Sequence, residues 1–223
     1  MNKANKSIGW TDYTWNPIKG ICPVGCWYCY AKKIYKRFKL DSKLSWDGKV
    51  PILSNKKPSK IFICSTIEMF HPQVPKEWRD RIFRIIKNSP QHTFQILTKM
   101  PENIDREMPD NVWLGCSITG NEYAWRKGFD LHIAKARIKF ISFEPLLNSI
   151  RTALLENLDC FSWIIIGKLT GFGNKYNPSR IWIENIVKAC QKNSIPLFLK
   201  DNLKEIWGEK LIQEFPNVRM GAN

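Results

Sequence analysis

Apolar, β-branched stretches recur at 61–65, 93–98, 112–118, 137–143, 161–167 and 195–200, with an earlier one within 8–15. Each gives way to a polar or glycine-bearing turn, which marks them as strands. Trp163-Ile-Ile-Ile-Gly167 is apolar at alternate and intervening positions alike, as expected of a strand covered on both faces in a parallel sheet. Between the strands the apolar period lengthens to that of a helix. Over 75–88, Trp78, Ile82, Phe83, Ile85 and Ile86 form one stripe, with Pro75 in the first turn. Over 179–193, Ile183, Ile186, Val187 and Cys190 do the same behind Ser179 as N-cap. Over 31–40, Ile34, Tyr35 and Phe38 are expected to face inward and the lysines outward. Strands alternating with helices predict right-handed βα units. The chain is short for a closed eight-unit barrel of about 250 residues. The predicted α/β fold is therefore a partial (β/α)6–7, TIM-like barrel with an open side, and a doubly wound sheet is the alternative.

The stretch 41–60 breaks the pattern. It has no clear period and contains Gly48, Pro51 and Pro58, so it reads as an inserted loop in a single domain spanning 1–223. With 43% hydrophobic residues and ten tryptophans, the 223 residues suffice for one core. No apolar run approaches the roughly 18 residues of a membrane span. The start, Met1-Asn-Lys-Ala-Asn-Lys6, lacks the apolar stretch of a secretory signal. The expectation is a cytoplasmic protein with no membrane partner; the pattern does not fix an oligomeric state.

Charge adds a direction. The net formal charge is +15, and 31–60 alone holds ten basic residues (Lys32, Lys33, Lys36, Arg37, Lys39, Lys43, Lys49, Lys56, Lys57, Lys60) against Asp41 and Asp47. A localised excess of eight attracts polyanions, so nucleic acid is a candidate partner of this segment. A solvated basic face is the simpler reading of the charge alone.

Immediately before that segment stands Cys22-Pro-Val-Gly-Cys-Trp-Tyr-Cys29, a C-x3-C-x2-C run within a total of seven cysteines. An odd number with three at metal-ligand spacing argues against a disulfide framework. Three thiolates on one loop suit three irons of a [4Fe–4S] cube and leave the fourth iron open to a small molecule. Zinc with a fourth ligand such as His71 is the alternative, but paired C-x2-C knuckles are the usual zinc pattern and there is no second knuckle. Cys64, Cys116, Cys160 and Cys190 lie within apolar patterns and read as core residues. Cys64 and Cys116 also fall near strand ends, where either thiol is a candidate hydrogen-atom donor.

The strand ends are unusually polar. They read Cys64-Ser-Thr-Ile-Glu-Met-Phe-His71, Leu97-Thr-Lys99, Cys116-Ser-Ile-Thr119, Ser142-Phe-Glu-Pro145, Gly167-Lys-Leu-Thr-Gly171 and Leu199-Lys-Asp201. In βα-barrels functional groups gather at this rim.

With its aromatic Tyr28, the cysteine loop resembles that of the radical S-adenosylmethionine superfamily. More narrowly, the chain is similar to a phage-associated family of that superfamily without assigned function. The matching stretches are Gly9-Trp-Thr-Asp-Tyr-Thr-Trp-Asn-Pro17, Gly25-Cys-Trp-Tyr-Cys-Tyr-Ala31, Gln91-His-Thr-Phe-Gln-Ile-Leu-Thr-Lys-Met-Pro101, Asn111-Val-Trp-Leu-Gly-Cys-Ser117, Phe140-Ile-Ser-Phe-Glu-Pro-Leu146 and Pro196-Leu-Phe-Leu-Lys-Asp-Asn202. The resemblance implies that Cys22, Cys26 and Cys29 ligate a [4Fe–4S] cluster. It implies that Ser65, Thr66 and Glu68 bind the amino group of S-adenosyl-L-methionine, and that Ser117 with Ser142 or Glu144 meets its ribose and carboxylate. Tyr28 would pack near the adenine. Lys99, Lys200 and Asp201 are left as candidates for substrate phosphate or base contacts, and Lys32, Lys33 and Arg37 for the polyanion. An electron donor such as a flavodoxin or ferredoxin is implied as well.

The expected activity is reductive cleavage of S-adenosylmethionine to a 5′-deoxyadenosyl radical acting on a nucleic acid or nucleotide, in repair or base modification. Two alternatives stand beside it. One is a nucleic-acid-binding protein with a structural cluster and no turnover. The other is a radical enzyme that modifies a protein partner through the basic segment.

Overall fold

The computed structural model describes residues 1–4, 8–49, 51, 53, 57–120 and 123–217. Ten strands are formed among them: β1 Asn2–Lys3, β2 Tyr13–Trp15, β3 Ile18–Lys19, β4 Ser45–Trp46, β5 Lys60–Ile63, β6 Thr93–Thr98, β7 Val112–Ser117, β8 Ile138–Phe143, β9 Trp163–Ile166 and β10 Leu197–Leu199. The main helices are α1 Tyr30–Phe38, α2 Lys76–Lys87, α3 Ala124–Ile133 and α5 Arg180–Lys192, with the single turns α4 Thr152–Leu155 and α6 Lys204–Trp207. Eight strands join one sheet in the order β1-β2-β5-β6-β7-β8-β9-β10. All its pairs are parallel except β1 with β2. The fold is thus a mixed α/β domain on a mostly parallel sheet, and the sheet is not closed. Each expected strand is present, all within their expected bounds except β5, which begins one residue early at Lys60.

The two faces of the sheet carry different cores. Ile61, Ile63, Phe94, Ile96, Leu114, Cys116, Ile141, Phe143, Ile164 and Ile166 pack outward against Ile82, Phe83 and Ile86 of α2 and Ile183, Ile186 and Val187 of α5. The intervening residues Phe62, Trp113, Phe140, Trp163, Ile165 and Phe198 form a second cluster around Trp10 on the other face. Trp10 approaches Phe62 of β5 at 4.8 Å, Phe140 of β8 at 6.3 Å and Trp163 of β9 at 6.1 Å between ring centroids. In a flat sheet β5 and β9 would stand roughly 19 Å apart. The sheet is therefore curled around Trp10.

Glycine permits one tight contact in this floor. A Cβ on Gly115 would lie 2.3 Å from the Phe140 ring, so only a residue without one admits that ring.

The open edge at β10 is covered. Residues 212–214 run antiparallel beside it: Leu199 N–H donates to Ile212 O at 2.7 Å and Glu214 N–H to Leu197 O at 2.8 Å. Trp163 Nε1 donates to Glu214 O at 2.8 Å, and Phe215 rests on Trp163 at 5.3 Å.

Three expectations are corrected. Cys160, read as a core residue, is exposed beside Asp159, whereas Cys64, Cys116 and Cys190 are buried. Helix α1 forms, but its apolar stripe does not face inward: Ile34 is 42% and Phe38 61% exposed, and Ala31 is its buried residue. Its polar contacts are with loops: Tyr35 Oη accepts from Gly20 N–H at 2.8 Å, and Lys33 Nζ donates to Gly171 O at 3.5 Å. The stretch 41–60 is likewise not all loop. Its β4 pairs with β3, Ile18 opposite Trp46 and Lys19 opposite Ser45, and Trp46 packs against Trp78 at 6.5 Å. That pairing brings the backbone of Lys43 so close that a Cβ on Gly20 (φ +111) would meet Lys43 O at 2.6 Å. Lys56, counted in the basic segment, lies outside the described residues. No helix among the described residues is long and apolar enough to cross a membrane.

Candidate functional site

Side-chain alternation along each strand decides what reaches the rim of the concave face. Continuing two residues at a time from the floor aromatics, Phe62 leads to Cys64, Trp113 past Gly115 to Ser117, and Phe140 past Ser142 to Glu144. Trp163 leads past Ile165 to Gly167, and Phe198 to Lys200. On β6 the same series runs Gln95, Leu97, Lys99. Above the aromatic floor opens a cavity of about 630 Å³ whose lining includes Trp10, Asn16, Cys22, Cys26, Tyr28, Cys29, Cys64, Ser65, Thr66, Glu68, Lys99, Ser117, Glu144, Lys168 and Lys200. That is a volume typical of small-molecule and cofactor sites.

Twelve of the residues singled out from the sequence, Cys64 among them, thus share one cavity. Others do not. Ser142 is fully buried, level with Ser117 in the strand pairing, and its hydroxyl finds no partner among the described residues. Asp201 is exposed and accepts from Gln213 Nε2 at 2.8 Å. Lys32, Lys33 and Arg37 lie on the exposed face of α1. His71 accepts from Gln73 N–H at 3.1 Å and is not on the cavity wall. Asn16, Tyr30 and Lys168 line the cavity without having been singled out. Asn16 directly follows β2 and was legible as another strand end; its Oδ1 accepts from Ser65 Oγ at 3.1 Å.

All three loop cysteines carry free thiols and are half-buried. Glu68 ties the loop to the sheet. Its backbone N–H donates to Cys22 Sγ at 3.3 Å. Its buried carboxylate accepts from Thr98 Oγ1 at 2.6 Å, Lys99 N–H at 2.6 Å and Phe70 N–H at 3.2 Å. Hydrogen bonds to a charged acceptor are the strong ones. A Glu68→Gln variant turns one acceptor into a donor facing these same groups. It should lose about 1–3 kcal/mol in stability, read as a lower denaturant midpoint, and an unchanged midpoint would show the anchor to be idle.

Two lysines are fixed across the cavity. Lys99 Nζ donates to Ser117 Oγ at 2.8 Å, and Ser117 Oγ donates to Glu144 O at 3.1 Å. The Lys99 ammonium also lies 5.9 Å from the Tyr28 ring centroid. Lys200 Nζ is ion-paired with Glu144 Oε1. Gly167 makes room for that pair, since a Cβ there would lie 2.9 Å from Lys200 Cδ and 3.1 Å from Glu144 Cδ.

Burial holds the Cys22 thiol above its ordinary pKa, against the opposing hydrogen bond from Glu68 N–H. Burial, then the neighbouring Cys26, raises the Tyr28 phenol. Burial raises Cys64 as well, and pushes Cys116 up to about 12. Metal ligation by Cys22 must therefore displace a proton.

Among the described residues, no three His, Cys, Asp or Glu side chains are disposed to hold one metal ion. A cube makes a different demand, because each thiolate takes its own iron, so its ligands need not crowd around a single point. Three free thiols of one loop on one cavity wall, the first already accepting a backbone N–H, fit that donor set.

A family model described as "Protein of unknown function (DUF5131)" matches residues 5–215. No curated protein and no solved structure matches the chain.

Proposed function

The chain belongs to the DUF5131 family, whose description assigns no activity, and we propose from the cavity chemistry that it is a radical S-adenosylmethionine enzyme acting on a nucleic acid or nucleotide. The observation that carries this reading is the convergence of Cys22, Cys26 and Cys29 on one cavity with polar strand ends. The curled, open sheet is read as the partial (β/α) barrel expected of such an enzyme.

Cys22, Cys26 and Cys29 would hold three irons of a [4Fe–4S] cluster. When bound, that cluster and S-adenosylmethionine supply one-electron reductive cleavage to a 5′-deoxyadenosyl radical, given an electron from a donor such as a flavodoxin or ferredoxin. The remaining work belongs to the protein. Glu68 fixes Cys22 against the end of β6. Ser65, Thr66 and Asn16 offer hydroxyl and amide groups beside the cysteines. Lys99, braced by Ser117, offers a cation to an anionic group in the cavity, and the Glu144–Lys200 pair presents both charges. Trp10, with Leu97 and Leu169, makes part of the wall apolar, which would limit water beside a reactive intermediate.

A structural cluster without turnover is the second reading, and one observation favours it: Cys64 puts a fourth thiol on the same wall. That thiol is 5% exposed with its pKa raised by burial, so the ionised form a ligand needs is disfavoured there. The deciding experiment is anaerobic. The reconstituted protein is mixed with S-adenosylmethionine and dithionite, and 5′-deoxyadenosine is sought by mass spectrometry. Product in the wild type and none in Cys22→Ala is expected. An intact cluster that neither binds nor cleaves the cofactor would establish the structural reading instead.

A further inference from the structure

Beside the cavity, three aromatic side chains gather from two distant parts of the chain. Trp27 of the cysteine loop is 56% exposed. Its ring lies 4.9 Å from Tyr176, 5.6 Å from Phe172 and 5.3 Å from Tyr28. Phe172 and Tyr176 belong to the connection between β9 and α5 and touch each other at 5.8 Å. Cations frame the cluster: Lys33 Nζ stands 3.6 Å over the Phe172 ring and 3.5 Å from Gly171 O, and Lys175 Nζ stands 5.3 Å over Tyr176. The platform is continuous with the cavity on both sides, because Tyr28 and the stretch Lys168 to Thr170 line it.

A single exposed apolar residue on a surface is unremarkable. A cluster of rings flanked by cation–π contacts, with an indole more than half exposed beside a cavity, is a different object. Helix α1 continues it outward with Lys32, Lys36 and Arg37 all exposed. Rings that accept a planar face, with ammonium groups along one side, match a polyanion carrying aromatic bases. A base can meet the indole only when it has left its own stack, so a duplex presents the wrong surface.

We propose that Trp27, Phe172 and Tyr176 form a stacking platform for the bases of single-stranded nucleic acid, with Lys33, Lys175 and the cations of α1 tracking its phosphates. This rests on the nucleic-acid part of the function proposed above and narrows it to unpaired strands; it is independent of the radical chemistry.

The test is fluorescence anisotropy with a labelled oligothymidylate and a labelled duplex of equal length, on the full-length wild type and variants. The single strand should bind more tightly than the duplex. Trp27→Ala and Tyr176→Ala should each weaken it about tenfold with little change in salt dependence, and Trp27→Phe should restore most of the loss. Changing Lys32, Lys33, Lys36 and Arg37 together to Gln should instead flatten the salt dependence, since each phosphate contact contributes to that slope. Tyr176 lies outside the cysteine loop, so its variant reads stacking without touching the thiols. Wild-type affinity in both alanine variants overturns the platform, as does tighter duplex binding or no binding of either probe at low salt. Displacement of the oligonucleotide by polyglutamate at equal charge also overturns it, and would mark a face for an acidic protein. Oligothymidylate binding in a protein whose intact cluster neither binds nor cleaves S-adenosylmethionine supports the platform and removes the radical chemistry; cleavage without oligonucleotide binding does the reverse.

Discussion

Replacing Cys26 by alanine should bring iron, after anaerobic reconstitution, to near background and abolish the visible absorbance of a cluster, whereas Cys190→Ala should load as the wild type does. The contrast follows from where the two thiols lie. Cys26 is half-buried on the cavity wall between two further loop thiols. Cys190 is 1% exposed within α5, and burial pushes its pKa up to about 12. A thiol so held stays protonated near neutral pH and cannot ligate without unfolding its helix. Because a cube with two protein thiolates in place of three has lost a third of its anchorage, the expected loss is nearly complete. Equal iron in the two variants would falsify the ligand assignment.

The largest expected effect on stability is at Trp163. It is fully buried, and its ring meets Trp113 at 5.7 Å, Phe140 at 5.5 Å, Trp10 at 6.1 Å, Phe198 at 6.2 Å and Phe215 at 5.3 Å. Its Nε1–H also satisfies Glu214 O. Truncation leaves a cavity among five rings and an unpaired carbonyl, and Trp163→Ala should cost about 3–5 kcal/mol, measured by urea unfolding. Trp163→Phe keeps most of the ring contacts and loses the N–H, so a smaller loss is expected. A change under about 1 kcal/mol in the alanine variant would mean that the floor is not tightly packed.

Much of this was legible in the chain. The run Trp163–Ile166 announced itself because a parallel strand covered on both faces tends to be apolar at every position. The polar strand ends were visible for the same reason, since charge appears only where the covering stops. That Ser142 is shut away while its strand partner Ser117 lines the cavity was not legible, because both stand on the same inward series. Helix α1 was misread because an apolar stripe records an amphipathic surface but not what covers it; Ile34 and Phe38 are both exposed. The meeting of Trp27 with Phe172 and Tyr176 was hidden for another reason. Their separation along the chain is about 145 residues, and no local period encodes a contact made by curling the sheet. The pairing of β3 with β4 was missed because each contributes two residues, too few for any alternation to register.

The strip at 212–214 has a meaning beyond the contacts it makes. A parallel sheet that stops short of closure ends in a row of amide and carbonyl groups ready to recruit a strand from another molecule. Here Leu197 and Leu199 have spent those groups on Ile212 and Glu214, so the apolar edge of β10 is not offered to a neighbour. The price of an open rim, in a chain this rich in exposed aromatics, would otherwise be self-association; the guard strand keeps the opening for the cavity and withholds the edge from aggregation.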